Sequence, residues 1–202
     1  MLAAFAERGV DVAGFDLLPR MVELACDRLR GRGRVVLADM TDFDLGRTFD
    51  GAVCPINTLL HLTPGELARH LDCMARHTSH YLVQVGLVDS ATYDPFAGSK
   101  WEAERGDTKL KVLWEDEELD FERGLSRQRS RIEVLTGPRA GEVIEEIHDM
   151  TAWTPQTWHA AIEESPFTEA AIYDGGKKGE RPQVDPGATG GLLWHELVRR
   201  TR

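Results

Sequence analysis

Three short apolar runs in the first sixty residues each end on groups able to hold a polar ligand. VDVAGF is followed by Asp16, VVLA by Asp39-Met40, and FDGAVC by Pro55-Ile56-Asn57. Ligands of open parallel sheets bind outside the carboxyl ends of the strands. A carboxylate there accepts both hydroxyl hydrogens of a ribose. An acid beside a thioether brackets a purine: the carboxylate takes the exocyclic amine and the polarizable sulfur packs on the ring. Each residue also has a plainer reading. Asp16 can cap the next helix, Asp39-Met40 can be a strand-end turn, and Pro55 ends its strand because it has no N–H. Further along, His61 follows the third run, and His148-Asp149 ends the run EVIEEIHDM. All three are candidates to remove a proton from an acceptor or to position it. The alternative for His148 and Asp149 is a solvent-facing strand end.

The elements that must carry these residues are legible. Leu2 to Arg8 reads as a helix end stopped by Gly9. Val10 to Phe15 is a strand, and Pro19 opens a helix to about Arg30, before Gly31. Arg34 to Ala38 and Phe49 to Cys54 are strands. Thr63-Pro64-Gly65-Glu66 is a capping box that starts a helix to about His77. Tyr81 to Leu87 is another strand. Strands alternating with helices at this spacing predict βαβ units and a parallel sheet. From about Lys100 to Met150 the helical period is lost. LKVLWED, SRQRSRIEVL and EVIEEIHDM read as antiparallel strands turned at Gly124 and over 137–141. Thr154-Pro155 caps a helix to about Glu164. Thr168 to Tyr173 and Leu192 to Val198 read as an antiparallel pair on the sheet edge, joined by a long Gly/Pro-rich loop. The expected divisions are 1–95, 96–150 and 151–202.

Composition narrows the function. Against 34 Asp and Glu stand 24 Lys and Arg, a net charge of −10, which opposes a general nucleic-acid or anionic-membrane binder. No apolar run approaches the length of a membrane span. Three cysteines, Cys26, Cys54 and Cys73, lack a CxxC spacing and read as reduced thiols of a cytoplasmic protein. His61, His70, His77 and His80 match no zinc spacing, and His70 and His77 are expected on a capped surface helix, so no metal is assigned. Trp101, Trp114, Trp153 and Trp158 either line a pocket in the β-rich segment or form its core, with Trp158 expected in the core. The acids Glu115 to Glu118 either attract a cationic amine or form a solvated face, the default for such a run. The basic cluster Lys177 to Arg181 reads as part of a floppy linker.

Taken together, VDVAGFDLLPRMVELA, VVLADMTDFDL and FDGAVCPINTLLHL resemble class I S-adenosylmethionine-dependent methyltransferases, in particular bacterial small-molecule N- and O-methyltransferases. The resemblance covers residues 2–90 and, with less specific motifs, the later β-rich segment, helix and closing strands. It implies an α/β fold: a Rossmann-like, doubly wound, mostly parallel sheet, an antiparallel β insertion acting as a lid, and the C-terminal strand pair. It implies S-adenosylmethionine as cofactor and a small-molecule methyl acceptor. Asp16 matches the ribose-binding acid, Leu17 and Met21 its apolar neighbours, and Asp39 and Met40 the adenine pair. Cys54, Pro55, Ile56 and Asn57 match the loop under the methionine part, and His61 a position at the mouth of the site.

One motif of that family is missing. Its glycine-rich turn, which lets backbone approach the cofactor closely, should precede Leu2. The strand leading into that turn would lie between VDVAGF and FDGAVC, so the sheet is expected to lack its first, central strand. The expectation is a start upstream of Met1. The alternatives are a non-catalytic remnant and a homodimer that hides the open strand edges.

Overall fold

Local signals in the sequence place most of the elements. The computed structural model describes residues 1–89, 98–174, 183–184 and 191–201. Helix α1 (Leu2–Ala6) leads into β1 (Ala13–Asp16), then α2 (Pro19–Leu29) and β2 (Arg34–Leu37). Pro19 occupies the first turn of α2, where its missing N–H costs nothing. Leu29, Ala6 and Val12 make a small core under this unit. Strands β1 and β2 pair in parallel, Ala13 opposite Arg34 and Asp16 opposite Leu37.

Next come β3 (Ala52–Cys54), a 3-10 turn (Thr58–His61), α3 (Pro64–His77) and β4 (His80–Leu87). The capping box opens α3 as expected, with the Thr63 side chain and Glu66 exchanging backbone hydrogen bonds. Then come four antiparallel strands, β5 (Ser99–Arg105), β6 (Thr108–Asp120), β7 (Leu125–Val134) and β8 (Val143–Thr151), paired in that order. Strand β5 carries no apolar alternation, and all its residues are exposed, which is why its sequence does not announce it. The chain closes through α4 (Pro155–Glu163), β9 (Phe167–Asp174), β10 (Gln183–Val184) and β11 (Gly191–Arg199).

The second sheet runs β10-β9-β11-β4-β3. Strand β3 is parallel to β4, while β11 is antiparallel to both β4 and β9. Among the described residues, parallel strand pairing is therefore confined to β1 with β2 and β3 with β4. The expected antiparallel closing pair, β9 and β11, forms, but β11 lies inside the sheet between β9 and β4 and the short β10 takes the edge; Lys177 to Arg181 lies outside the described residues. On one face Tyr81, Val83, Val85, Leu87 and Leu197 pack under α3 and α4 with Leu67, Leu71, Trp158 and Ile162, all buried. Burying such side chains supplies about 1.5–3 kcal/mol each.

Strands β1 and β3 do not pair with each other, and among the described residues no strand lies between them. Two contacts cross from the first sheet to the elements around β3. The Arg47 guanidinium pairs with Asp11 at 2.7 Å, and the Phe15 and Phe43 rings stack at 4.3 Å. No helix among the described residues is long and apolar enough to cross a membrane.

Candidate active site

Asp16 and Asp39 stand at the carboxyl ends of the parallel pair β1 and β2, and Pro55 stands at the carboxyl end of β3, which is parallel to β4. Asp16 ends β1, and its Oδ1 accepts the Leu18 N–H at 2.9 Å. Leu18 itself is the N-cap of α2, without a side-chain cap, so Asp16 is not tied up in the first turn of that helix. Leu17 is 66% exposed and Met21 47%, an apolar surface beside a carboxylate. After β2, Asp39 Oδ1 accepts the Thr41 N–H at 2.7 Å and the Thr41 hydroxyl at 2.8 Å. These bonds hold the Asp39 carboxyl below its usual range, so it is ionised at neutral pH. Met40 packs at the margin of the core, and its carbonyl is bound by His70.

After β3 the chain makes an unusual turn. Ile56 and Asn57 both adopt left-handed backbone, at φ 57 and 56. A β-branched residue there is strained, and such strain persists only where surroundings impose it. Here β4 imposes it. The Ile56 N–H donates to Gln84 Oε1 at 3.0 Å, the Asn57 N–H to the Gln84 carbonyl at 3.2 Å, and the Gly86 N–H to Asn57 Oδ1 at 2.6 Å. Ile56 is left 76% exposed. Cys54 points elsewhere: burial pushes its thiol pKa up, against hydrogen bonds with Tyr81 and Thr58. Gln84 is a site residue that the sequence reading missed. Its one signal is a polar side chain inside the apolar run YLVQVGL.

The two faces of the antiparallel sheet differ, one solvated and the other buried or half-buried. On one, Arg127 makes a two-pronged pair with Asp149 at 2.7 and 3.1 Å, Arg131 binds Glu145 at 2.6 Å, and Arg129 binds Glu117 at 3.0 Å. This is a solvated ion-pair lattice. It absorbs Asp149, a candidate base, and at least Glu117 and Glu118 of the acidic run. The other face carries Trp114, Ser126, Gln128, Ser130 and His148, placed together by the two-residue period of strands. The His148 ring stacks on Trp114 at 4.8 Å, nearly coplanar at 9°. His148 Nε2 lies 3.0 Å from Ser130 Oγ, and the Trp114 N–H donates to Gln128 Oε1 at 2.6 Å. Ser130, Ser126 and Gln128 carry no sequence signal, because small polar residues are common on exposed strands.

The 3-10 turn bears His61 against this sheet. Thr151 Oγ1, at the end of β8, donates to the Leu62 carbonyl at 2.8 Å. Partial burial, and secondarily the charge of His148, lower the His61 pKa. His61 and His148 are thus brought within electrostatic reach of one another.

Other expectations are corrected. His70 and His77 do not lie on a surface: they are 1% and 4% exposed, bound to backbone of the 40–47 segment. Trp158 is fully buried in the core, as expected, and Trp153 is nearly so. Trp101 is 46% exposed, which leaves Trp114 as the tryptophan stacked on a candidate site residue. No cluster of three His, Cys, Asp or Glu suited to a metal occurs among the described residues.

The Asp16 and Asp39 carboxylates and the exposed apolar Leu17, Met21 and Ile56 lie at or just past strand ends, and are residue types able to accept from and pack on a nucleoside. Residues 1–80 match the family described as "Methyltransferase domain". No curated protein matches the sequence. Solved structures match in fold. The sugar N-methyltransferase KedS8 of Streptoalloteichus sp ATCC 53650 is 24% identical with a TM-score of 0.73, over 99% of this chain and 75% of that one. DesVI of Streptomyces venezuelae is 20% identical with a TM-score of 0.72, over 93% of this chain and 74% of that one. CalS10 of Micromonospora echinaspora, an amino pentose methyltransferase solved with S-adenosylmethionine bound, is 21% identical with a TM-score of 0.70, over 98% of this chain and 78% of that one. Residues 1–80 thus match a methyltransferase domain, and the chain as a whole shares the fold of these S-adenosylmethionine-dependent methyltransferases.

Proposed function

We propose that this protein methylates an amine of a small, sugar-like acceptor, held between the strand ends and the antiparallel sheet. The observation that carries this reading is the placement of His61, on the turn after β3, against the polar face bearing His148 and Trp114. In this reading residues 1–95 bind the cofactor, 96–150 form the lid, and 151–202 complete the sheet. Asp16 binds the ribose hydroxyls, with Leu17 and Met21 against the nucleoside. Asp39 accepts from the adenine amine and Met40 packs its ring, while the Pro55–Asn57 turn and Cys54 back the methionine part. S-adenosylmethionine supplies, when bound, an electrophilic methyl on a sulfonium centre.

The protein's own work is orientation and proton removal. An amine must lose its ammonium proton to expose a lone pair. With its pKa lowered, His61 is a neutral imidazole at pH 7 and accepts that proton. His148, held by Ser130 and by the Trp114 face, positions the acceptor. The sugar-like acceptor is supported by the relatives described as a sugar N-methyltransferase and an amino pentose methyltransferase. A net charge of −10 opposes nucleic-acid substrates and agrees with a cytoplasmic small-molecule enzyme.

A second reading is a cofactor-binding module without turnover. It is favoured by β1 and β3 each having, among the described residues, a ladder partner on one side only. A homodimer that covers the other sides belongs to the same question. Calorimetry with S-adenosylmethionine and S-adenosylhomocysteine, and then methyl transfer to amino sugars, amino acids and hydroxylated acceptors, separates the readings. Binding with transfer to amino sugars supports the enzyme. Binding without any transfer supports the module. Binding of neither compound overturns the cofactor assignment.

A further inference from the structure

The segment after β2 has almost no ladder of its own. Between residues 39 and 47 the sole bridge within the segment is Asp39 opposite Asp42. Irregular backbone at a protein's interior needs partners for its polar groups. Here the partners come from one stripe of α3. His70 Nδ1 lies 2.8 Å from the Met40 carbonyl, Cys73 Sγ donates to Thr41 O at 3.4 Å, and Arg76 donates to Phe43 O at 3.4 Å. His77 Nδ1 lies 2.9 Å from Arg47 O. Spacings of three and four residues put all four side chains on one helix face.

His77 also accepts the Leu45 N–H within the same segment, whereas the second attachment of His70 leads out of the segment to β4. A carbonyl only accepts, so Nδ1 carries the hydrogen and Nε2 is the acceptor. Nε2 therefore receives the Tyr81 hydroxyl at 2.8 Å. The Tyr81 oxygen in turn hydrogen-bonds the Cys54 thiol. A buried chain of hydrogen bonds so links Cys54 at the end of β3, through β4 and α3, to Met40 after β2. It ties together two of the loops assigned to the cofactor. His70 is 1% exposed, so no water substitutes cheaply for either bond.

We propose that His70 is a positioning residue for the cofactor: it sets the Asp39–Met40 loop in the conformation that takes the adenine, without touching the cofactor itself. The proposal rests on the cofactor assignment made above. An adenine edge is read by atoms placed to within about 0.5 Å. A loop with no ladder reaches that precision only if its carbonyls are pinned from outside.

The test compares His70→Phe, which removes both bonds, with His70→Asn, whose amide reproduces the Nδ1 donor. Tyr81→Phe removes the support behind Nε2. In His70→Phe, the dissociation constant for S-adenosylmethionine is expected to rise about ten- to a hundred-fold, with kcat at saturating cofactor changed less than about three-fold. His70→Asn is expected to recover most of the affinity, and Tyr81→Phe to fall between. A readout independent of the cofactor is amide hydrogen exchange over 40–47 in the free protein. It should accelerate in His70→Phe and stay near wild type in His70→Asn. Unchanged affinity and unchanged exchange in His70→Phe overturn the proposal. So does equal loss in both variants in proportion to their melting temperatures, which marks a general stability effect. If wild type binds no S-adenosylmethionine, the cofactor assignment falls and this role falls with it. Fast exchange confined to His70→Phe would in that case show a pinned loop with some other use.

Discussion

Asn57 Oδ1 accepts the backbone N–H of Gly86 at 2.6 Å, so the left-handed turn after β3 is locked to the carboxyl end of β4. A side-chain methyl on Gly86 would lie 3.3 Å from the Asn57 amide, which shows how closely the two approach. Replacing Asn57 with Gly removes the bond but keeps the backbone conformation; replacing it with Ala removes the bond and adds left-handed strain. Loss of a part-buried hydrogen bond costs about 1–2 kcal/mol, and the strain adds about 1 kcal/mol. Urea unfolding should therefore rank wild type above Asn57→Gly above Asn57→Ala. Equal stability of the two variants would show that the turn relaxes.

Asp16 has a different profile. It is tied to the rest of the chain by an exposed bond to the Leu18 N–H. Asp16→Ala should leave stability within about 0.5 kcal/mol, as exposed substitutions do. Cofactor affinity should nevertheless fall about ten- to a hundred-fold if the carboxylate holds the ribose. Calorimetry beside thermal unfolding tests both halves; unchanged affinity removes Asp16 from the site.

The rate should respond to pH through His61. Its pKa lies below 6.5, first because of partial burial and then because of His148. The base form is present at neutral pH, so kcat/KM should hold there and fall only below that ordinary value. His148→Gln removes one of the two causes. The acid limb should then move up toward the ordinary imidazole range, by an amount smaller than burial accounts for. An acid limb unmoved in His148→Gln would separate the two rings.

A second titration concerns stability. Glu169 bridges His195 at 2.6 Å and His159 at 3.2 Å, beneath the Trp158 ring. Burial raises the Glu169 pKa, but the hydrogen bond and charge of His195, with His159, outweigh it, and the net shift is downward from 4.5. The folded value is below the unfolded one, so this stabilisation is present above pH 4.5 and is lost as pH falls through the lowered value. Glu169→Gln should be less stable than wild type at pH 7, with the gap closing on acidification below pH 4.5. Tm measured from pH 7 to pH 3 reads this directly; a constant gap would assign the loss to packing.

Much of this architecture is legible in the residues. The strand ends at Asp16, Asp39 and Pro55 follow from apolar runs broken by a charge or an imide, and α3 from its capping box. Strand β5 is not legible, because a fully exposed strand has no reason to alternate. His70 and His77 of α3 read as surface in the sequence and are buried in the fold. His70 and His77 sit at helical spacing like any solvated histidines, and only the irregular backbone of 40–47 makes their burial favourable.

The sequence by itself determined the order of elements and which residues stand at the strand ends. Those choices rest on local chemistry: capping, the missing proline N–H and the periods of apolar residues. Tertiary structure alone decided three things: that His148 meets Trp114 and Ser130 while neighbouring Asp149 turns to Arg127; that His61 faces the antiparallel sheet; and that Met40, His70, Tyr81 and Cys54 form one buried chain. These contacts join residues far apart along the chain. Strand register and helix packing select them, and a pattern confined to a few neighbouring residues carries no record of either.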